Sequence, residues 1–401
     1  MNLFFHCTQA NKYSINALSY SIEKIDDIKV YFFYKLEEIE KKLNSKEINI
    51  FVFSFMTAFF EKEKRLAIEL KKKYPFIITA AGGVHIYEKN SQHLSGFFDY
   101  IFQGEGEKIL YNFISNFKKS KHQAIIKNKE NIDIDNYMSV SEKYKRFGSI
   151  EITRGCPHAC FYCQNPFNMG KKVRHKSVNN ILKEIEILLR NDFNDIRFIT
   201  PDLAAYGSED GKTLNIEQFE KLIKETNKLV KGKGRVFFGS FPSEIRPEHI
   251  TEDILKILKG NTSSKRIIIG AQSGSDKILK KINRGHSNND VINAIYLLRK
   301  YDFEVDVDFI FGFPFETEKD LNETREIIET LTEKYNARIH LHYFMPLPNT
   351  PFEILKPKPI DSKTRKFLSS LTSKKIAFGQ WENQVNLGLK SYLGFTEKVR
   401  K

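Results

Sequence analysis

The chain has 401 residues, 41% of them hydrophobic and 28% charged. That is a globular composition, long enough for two domains with cores of their own, and no apolar run approaches the length of a bilayer span. The net charge of +14 leaves nucleic acid open as a partner. The lysines are nevertheless spread over helix faces, as in KEIEILLR and KKSKHQ, without an arginine-aromatic patch, and this favours a solvated surface.

Residues 1–118 alternate strand and helix. The opening MNLFFHCTQANKYS lacks the basic start of a secretory signal and reads as a buried strand. Short apolar runs of strand length cover Asn2–His6, Ile28–Phe33, Ile48–Ser54, Phe76–Ala80 and Tyr100–Phe102. Helical patterns such as Glu61–Lys73 and Glu105–Phe117 lie between and after them. This alternation predicts a doubly wound, Rossmann-like parallel sheet whose ligands sit at the carboxyl ends of its strands. Those ends carry Cys7–Gln9, Ser54–Thr57, Gly82–His85 and Gly104–Gly106. Residues 119–148 are polar, with little periodicity, and read as a linker.

From 149 to 354 the alternation resumes. Six strands are expected: Ser149–Thr153, Ile196–Thr200, Arg235–Ser240, Arg266–Gly270, Glu304–Ile310 and Arg338–Phe344. Ser177 caps a helix over Val178–Arg190, whose apolar residues share one face at the 3.6 period. Further helices cover Ile216–Lys231 and Val291–Tyr301. Thr251 caps a short helix that Gly260 ends. Ser287 with Asp290, and Thr317 with Asp320, read as capping boxes. Six βα-type strands predict a partial (β/α)6 barrel with its active residues at the strand carboxyl ends. His340 and His342 alternate on the last strand and so share a face, as substrate-side residues or as packed core. Residues 355–401 form a helical extension that includes Trp381.

The first of these six strands runs straight into EITRGCPHACFYCQNP, Glu151 to Pro166. It holds three of the four cysteines, Cys156, Cys160 and Cys163, spaced C-x-x-x-C-x-x-C. Thiolates this close can converge on one small metal cluster. An odd count in a short loop argues against disulfides, and a zinc site lacks a clear fourth ligand, although His158 lies within the loop. Few cysteines, mostly clustered, predict a reducing cytoplasm. Full protein ligation of a [4Fe–4S] cluster takes four cysteines, so three leave one iron open.

This stretch resembles the cluster loop of the radical S-adenosylmethionine (SAM) superfamily. The resemblance implies a [4Fe–4S] cluster on Cys156, Cys160 and Cys163, with SAM chelating the open iron and an electron donor such as ferredoxin or flavodoxin. It implies reductive cleavage of SAM to a 5′-deoxyadenosyl radical, with Tyr162 near the adenine. Thr200 and Asp202 then fall where the family grips the SAM amino group. Ser240, Glu244 and Arg246 suit the ribose hydroxyls and the carboxylate, or else Glu244 and Arg246 simply pair with each other. The word GAQSGSDKILKKINRG resembles one from a large branch of the superfamily. It implies Gln272 and Ser273 facing the cofactor and Arg284 pairing with a carboxylate. Gly312 and Pro314 would shape a turn whose backbone meets the adenine edge.

In the first domain, AGGVH and FFDYIFQGEGEKIL resemble the cobalamin-binding domain that precedes many radical SAM domains. This implies cobalamin near Ser54, Gly82, Gly83, Gly104, Glu105 and Gly106. The D-x-H-x-x-G signature that supplies an axial histidine is absent, and the first loop reads HCTQANKYS instead. The glycines serve tight turns equally well, and His85 is a ligand contact or a structural loop residue. The leading expectation is a cobalamin-dependent C-methyltransferase with a small or macromolecular substrate. The alternatives are a cobalamin-independent methylthiotransferase-like modifier of RNA or protein, and a catalytically silent binding protein.

Overall fold

The computed structural model describes residues 1–119, 122–128 and 130–399, the side chains of 394–399 excepted. The chain divides into two compact units, Met1–Ile150 and Glu151–Lys401.

The first unit is built on β1 (Asn2–His6), β2 (Lys29–Phe33), β3 (Asn49–Ser54), β4 (Ile78–Gly82), β5 (Tyr100–Gln103) and β6 (Ile125–Lys127). They lie in the order β2-β1-β3-β4-β5-β6, every pair parallel. Each residue of β1 and β3 is buried, as continuous apolar runs require when helices cover both faces. Alternate side chains supply two cores. Phe4, Phe51 and Phe53 enter one, and Leu3, Phe5, Ile50 and Val52 enter the other.

Residues 119–148, expected as a linker, fold onto this unit where they are described. Ile125–Lys127 adds the sixth strand. Ile132, Ile134 and Val140 are buried, and Ser141 bridges to Arg146. A three-residue strand is too short for a periodic signal.

The second unit contains β7 (Ile150–Glu151, at the boundary), β8 (Thr153–Arg154), β9 (Arg174–His175), β10 (Asp195–Ile199), β11 (Arg235–Phe237), β12 (Arg266–Gln272), β13 (Glu304–Phe311), β14 (Arg338–Tyr343) and β15 (Ala377–Phe378). Two sheets, β11-β10-β7 and β12-β13-β14-β15, are joined through the segment after β11. There Ser243 bridges Thr200, and Ile245 bridges Ile269, both in the parallel sense. The result is a curved, partial barrel layer. Helices follow the strands, and their starts are the capped ones. Ser177, Thr251, Ser287 and Thr317 each accept a backbone N–H three residues on. In the carboxy-terminal extension, β15 separates the helices Ser362–Ser373 and Trp381–Val399 and pairs with β14. Among the described residues no helix is long and apolar enough to cross a membrane.

The helix Val178–Arg190 is anchored by an ion pair between Lys176 and Glu184, both almost fully buried. Tyr206 Oη donates to the Lys176 carbonyl at 2.7 Å. Removing one member of such a pair leaves the other charge buried without its partner. Glu184→Ala is therefore expected to cost ~3–5 kcal/mol in denaturant unfolding. A loss under ~1 kcal/mol, the range of an exposed pair, would contradict this reading.

Candidate cluster and cofactor site

The cysteine loop is the turn of a small hairpin. Thr153 pairs with His175 and Arg154 with Arg174, antiparallel, so residues 155–173 close on themselves. Gly155 starts the loop at φ +88°, and a Cβ there would lie 2.4 Å from the Lys172 carbonyl oxygen. Cys156 N–H donates to Gly170 O (3.1 Å) and Cys163 N–H to Cys160 O (3.0 Å). All three cysteines are free thiols.

The N-R-G word after β12 grips this loop. Phe161 N–H donates to Ile282 O at 3.0 Å, and Asn283 Nδ2 donates to the carbonyls of His158 and Ala159 at 2.9 and 3.0 Å. Arg284 reaches Cys160 Sγ (Nη1, 3.7 Å) and Gly270 O (Nη2, 2.9 Å). Its contacts are thus a thiol and a carbonyl rather than the expected carboxylate.

Burial pushes the Cys163 thiol up to about 12 and raises Cys156 as well. Burial disfavours the Arg284 cation, yet neighbouring Tyr162 and Cys160 hold it fully protonated. Three convergent thiols beside a fixed guanidinium fit an anionic thiolate cluster. Among the described residues His158 Nε2 and Arg284 Nε are buried without a hydrogen-bond partner, leaving polar capacity for a bound ligand.

The other residues expected near SAM fall in the same unit. Tyr162 packs on the apolar group of Ile278, Leu279, Phe313 and Phe344, its ring 6.0 Å from that of Phe313. Thr200 Oγ1 donates to Asp202 O at 3.0 Å, shaping the turn after β10. The Asp202 carboxylate faces Nδ1 of His249 at 2.5 Å and accepts the Arg246 N–H at 3.3 Å. His158, Asp202 and His249 bring their donor atoms within 4.8 Å of one another. Arg246 does not pair with Glu244. Its Nε binds Glu248 at 2.7 Å and its Nη2 donates to the Arg284 carbonyl. Burial, then the charge of Asp308, pushes the Glu244 carboxyl up to about 7. Ser240 is engaged elsewhere, with Ser264 (3.0 Å) and Arg197 (3.3 Å). Gln272 sits in a bulge of β12 at φ +73°, and the Ser273 hydroxyl accepts the Ser275 N–H at 3.2 Å. Gly312, at φ +90°, would place a Cβ 2.3 Å from the Tyr343 ring, and its N–H donates to Glu316 at 2.9 Å. No pattern marked His249, Glu248 or Asn283 as partners. Of the three, only Asn283 lies in the strand-end word GAQSGSDKILKKINRG.

In the first unit, Ser54, Gly82, Gly83, Gly104, Glu105 and Gly106 do lie at or after the carboxyl ends of β3, β4 and β5. Their observed contacts are internal. Asn11 Nδ2 ties His6 O to Ser54 O (2.9 and 3.0 Å), and Ser54 Oγ lies 3.1 Å from Ser14 Oγ. Gly83 (φ +105°) leaves no room for a Cβ, which would fall 2.5 Å from Phe55 O. Gly104 turns at φ +100°. Glu105 accepts the Ile132 N–H at 2.7 Å. His85 is buried against the Phe60 ring at 4.6 Å, with Nδ1 3.1 Å from Thr57 Oγ1. These contacts tie the strand ends to one another, and the glycines spare collisions with Phe55, Asn128 and Leu18.

Gly155→Ala is expected to force the hairpin turn open, since both the φ angle and the Lys172 carbonyl oppose a methyl group. Iron retained after anaerobic reconstitution should fall well below the wild-type value while the far-ultraviolet circular dichroism is unchanged. Equal iron in both proteins would show that the turn does not govern the thiols.

Residues 150–328 match the family model described as the Radical SAM superfamily. The chain is 27% identical over 332 residues to a tRNA-2-methylthio-N(6)-dimethylallyladenosine synthase from Clostridium botulinum, covering 81% of this chain and 66% of that protein. It therefore spans about two thirds of the length of that relative. A threonylcarbamoyladenosine tRNA methylthiotransferase, MtaB, from Thermotoga maritima is 29% identical over 56% of this chain and 50% of its own. In fold, the chain is similar to the radical SAM methyltransferase TsrM from Kitasatospora setae, solved with cobalamin and a [4Fe–4S] cluster (TM-score 0.66, 13% identity, 88% of this chain and 74% of that one). It is also similar to the cobalamin-dependent SAM radical enzyme OxsB with aqua-cobalamin bound (TM-score 0.63, 18% identity, 94% and 56%). The cysteine loop and the strand-end grip on it both lie within residues 150–328, the part of the chain that matches the Radical SAM superfamily model.

Proposed function

We propose that this protein cleaves SAM reductively at a cluster held by Cys156, Cys160 and Cys163, and that its first unit binds cobalamin for methyl transfer to carbon. The observation that carries the first part is the pinned hairpin with three free thiols, gripped by Asn283 and Arg284. The second part is supported by fold likeness extending over both units to proteins solved with cobalamin. Bound cluster, SAM and cobalamin would supply the electron, the adenosyl group and the methyl carrier.

The chain's own residues supply orientation and charge. Arg284 sets positive charge against the Cys160 sulfur. Asp202 offers a carboxylate to an ammonium group, and His249 fixes its direction. Glu244, half-protonated near pH 7, can accept or return a hydrogen bond to a ribose hydroxyl. Gln272 and Gly312 sit on positive-φ turns at the ends of β12 and β13, where backbone groups can approach a ligand.

A methylthiotransferase-like modifier of RNA is the second reading, favoured by the sequence relatives. The cysteine inventory speaks against it. Outside the loop the chain has one cysteine, Cys7, buried in the apolar core of the first unit, and one thiol cannot hold the second, three-cysteine cluster such enzymes use.

The test is anaerobic reconstitution with iron, sulfide and hydroxocobalamin, followed by a cobalt count after gel filtration. About one cobalt per chain is expected. A full iron–sulfur complement without cobalt would remove cobalamin from the proposal and leave SAM cleavage standing.

A further inference from the structure

We propose that Asp308, His340 and His342 form a divalent metal site in the second unit, separate from the cysteine cluster. β13 and β14 run parallel, with Asp308 opposite His340 and Ile310 opposite His342. Strand periodicity puts the three polar side chains on one face. His340 Nδ1 lies 3.0 Å from Asp308 Oδ1, His342 Nε2 lies 3.2 Å from His340 Nδ1 and 3.9 Å from Asp308 Oδ2. A metal about 2.0–2.2 Å from each donor would set neighbouring donors roughly 3.0–3.5 Å apart. Two of the three edges already meet that spacing.

Proton counting favours a cation at this point. A neutral imidazole nitrogen carries at most one hydrogen. His340 Nδ1 faces both a carboxylate oxygen and a second imidazole nitrogen, and one N–H reaches both only as a weaker, bifurcated bond. His342 Nε2 is too far from Asp308 for a good hydrogen bond of its own. A shared divalent ion satisfies all three donors at once.

The surroundings fit this role. Asp306, one step earlier on the same face, is neutralised by Arg338 (2.7 Å) and Arg266 (3.1 Å). Among the described residues, Asp308 has only the two histidines as ion-pair partners. Phe378 stacks on His340 at 4.4 Å and 2°, fixing the ring. The imidazoles keep 30% and 28% side-chain exposure, whereas Asp308 keeps 9%, so the trio has a closed floor and an open side. Two imidazoles and one carboxylate on one side of an ion suit Fe2+, Mn2+ or Zn2+ and leave coordination positions free. Those positions would accept an oxygen or nitrogen of a chelating substrate, which places substrate binding on β13 and β14.

The test uses the cluster-loaded full chain, whose cysteines are then occupied, and Mn2+, which avoids thiolates. Loss of the free Mn2+ electron paramagnetic resonance signal counts bound ion. One Mn2+ per wild-type chain is expected, displaced by one equivalent of Zn2+. Asp308→Asn and His342→Gln should each weaken binding by more than ~100-fold, beyond the ~10–100-fold of an outer partner. Iron content and circular dichroism should stay at the wild-type level in both variants, which separates site loss from misfolding. No Mn2+ on the wild type, or equal Mn2+ on folded variants, would overturn the proposal and leave the trio a hydrogen-bonded relay. Neither outcome depends on SAM cleavage or cobalt content.

Discussion

The second unit depends on holding three thiols together in an interior that disfavours their charge. Burial above all, with the neighbouring thiols adding to it, drives Cys163 up to about 12 and burial raises Cys156 as well, so without metal these two are protonated thiols. A metal cluster must displace those protons, and the protein lowers that cost with structure it has already built. The hairpin ladder closes the loop and Asn283 holds its carbonyls. Arg284 brings a permanent positive charge to the Cys160 sulfur. The guanidinium is itself tied to the β12 backbone at Gly270. Cluster loop and barrel strand are therefore mechanically one object, which explains why a word more than a hundred residues downstream matters to the cysteines.

The first unit solves a different problem. Its central strands are buried on both faces, and its strand ends are tied to each other through Asn11 and Ser54. Gly83 and Gly104 turn the chain where a side chain would collide or strain.

Much of this was legible from residue pattern because the signals are local. The caps at Ser177, Thr251, Ser287 and Thr317 hold as read. The apolar runs of β1, β3 and β13 match within a residue or two. What pattern reading missed is made by distant pairing. β6, β8, β9 and β15 are two or three residues long and exist only because a neighbour offers its edge. The partner choices were equally hidden. Arg246 turned to Glu248 rather than Glu244, Asp202 to His249, and Arg284 to a thiol. His340 and His342 were legible as sharing a face, but the register that sets Asp308 beside them is a property of the sheet.

The most direct measurement is 5′-deoxyadenosine formation from SAM under strong reductant, comparing reconstituted wild type with Cys163→Ala. The account expects 5′-deoxyadenosine from the wild type and a loss of at least ~100-fold in the variant, since two remaining thiolates cannot hold the cluster. Absence of product from a wild type carrying a full iron–sulfur complement, with SAM bound, would contradict it.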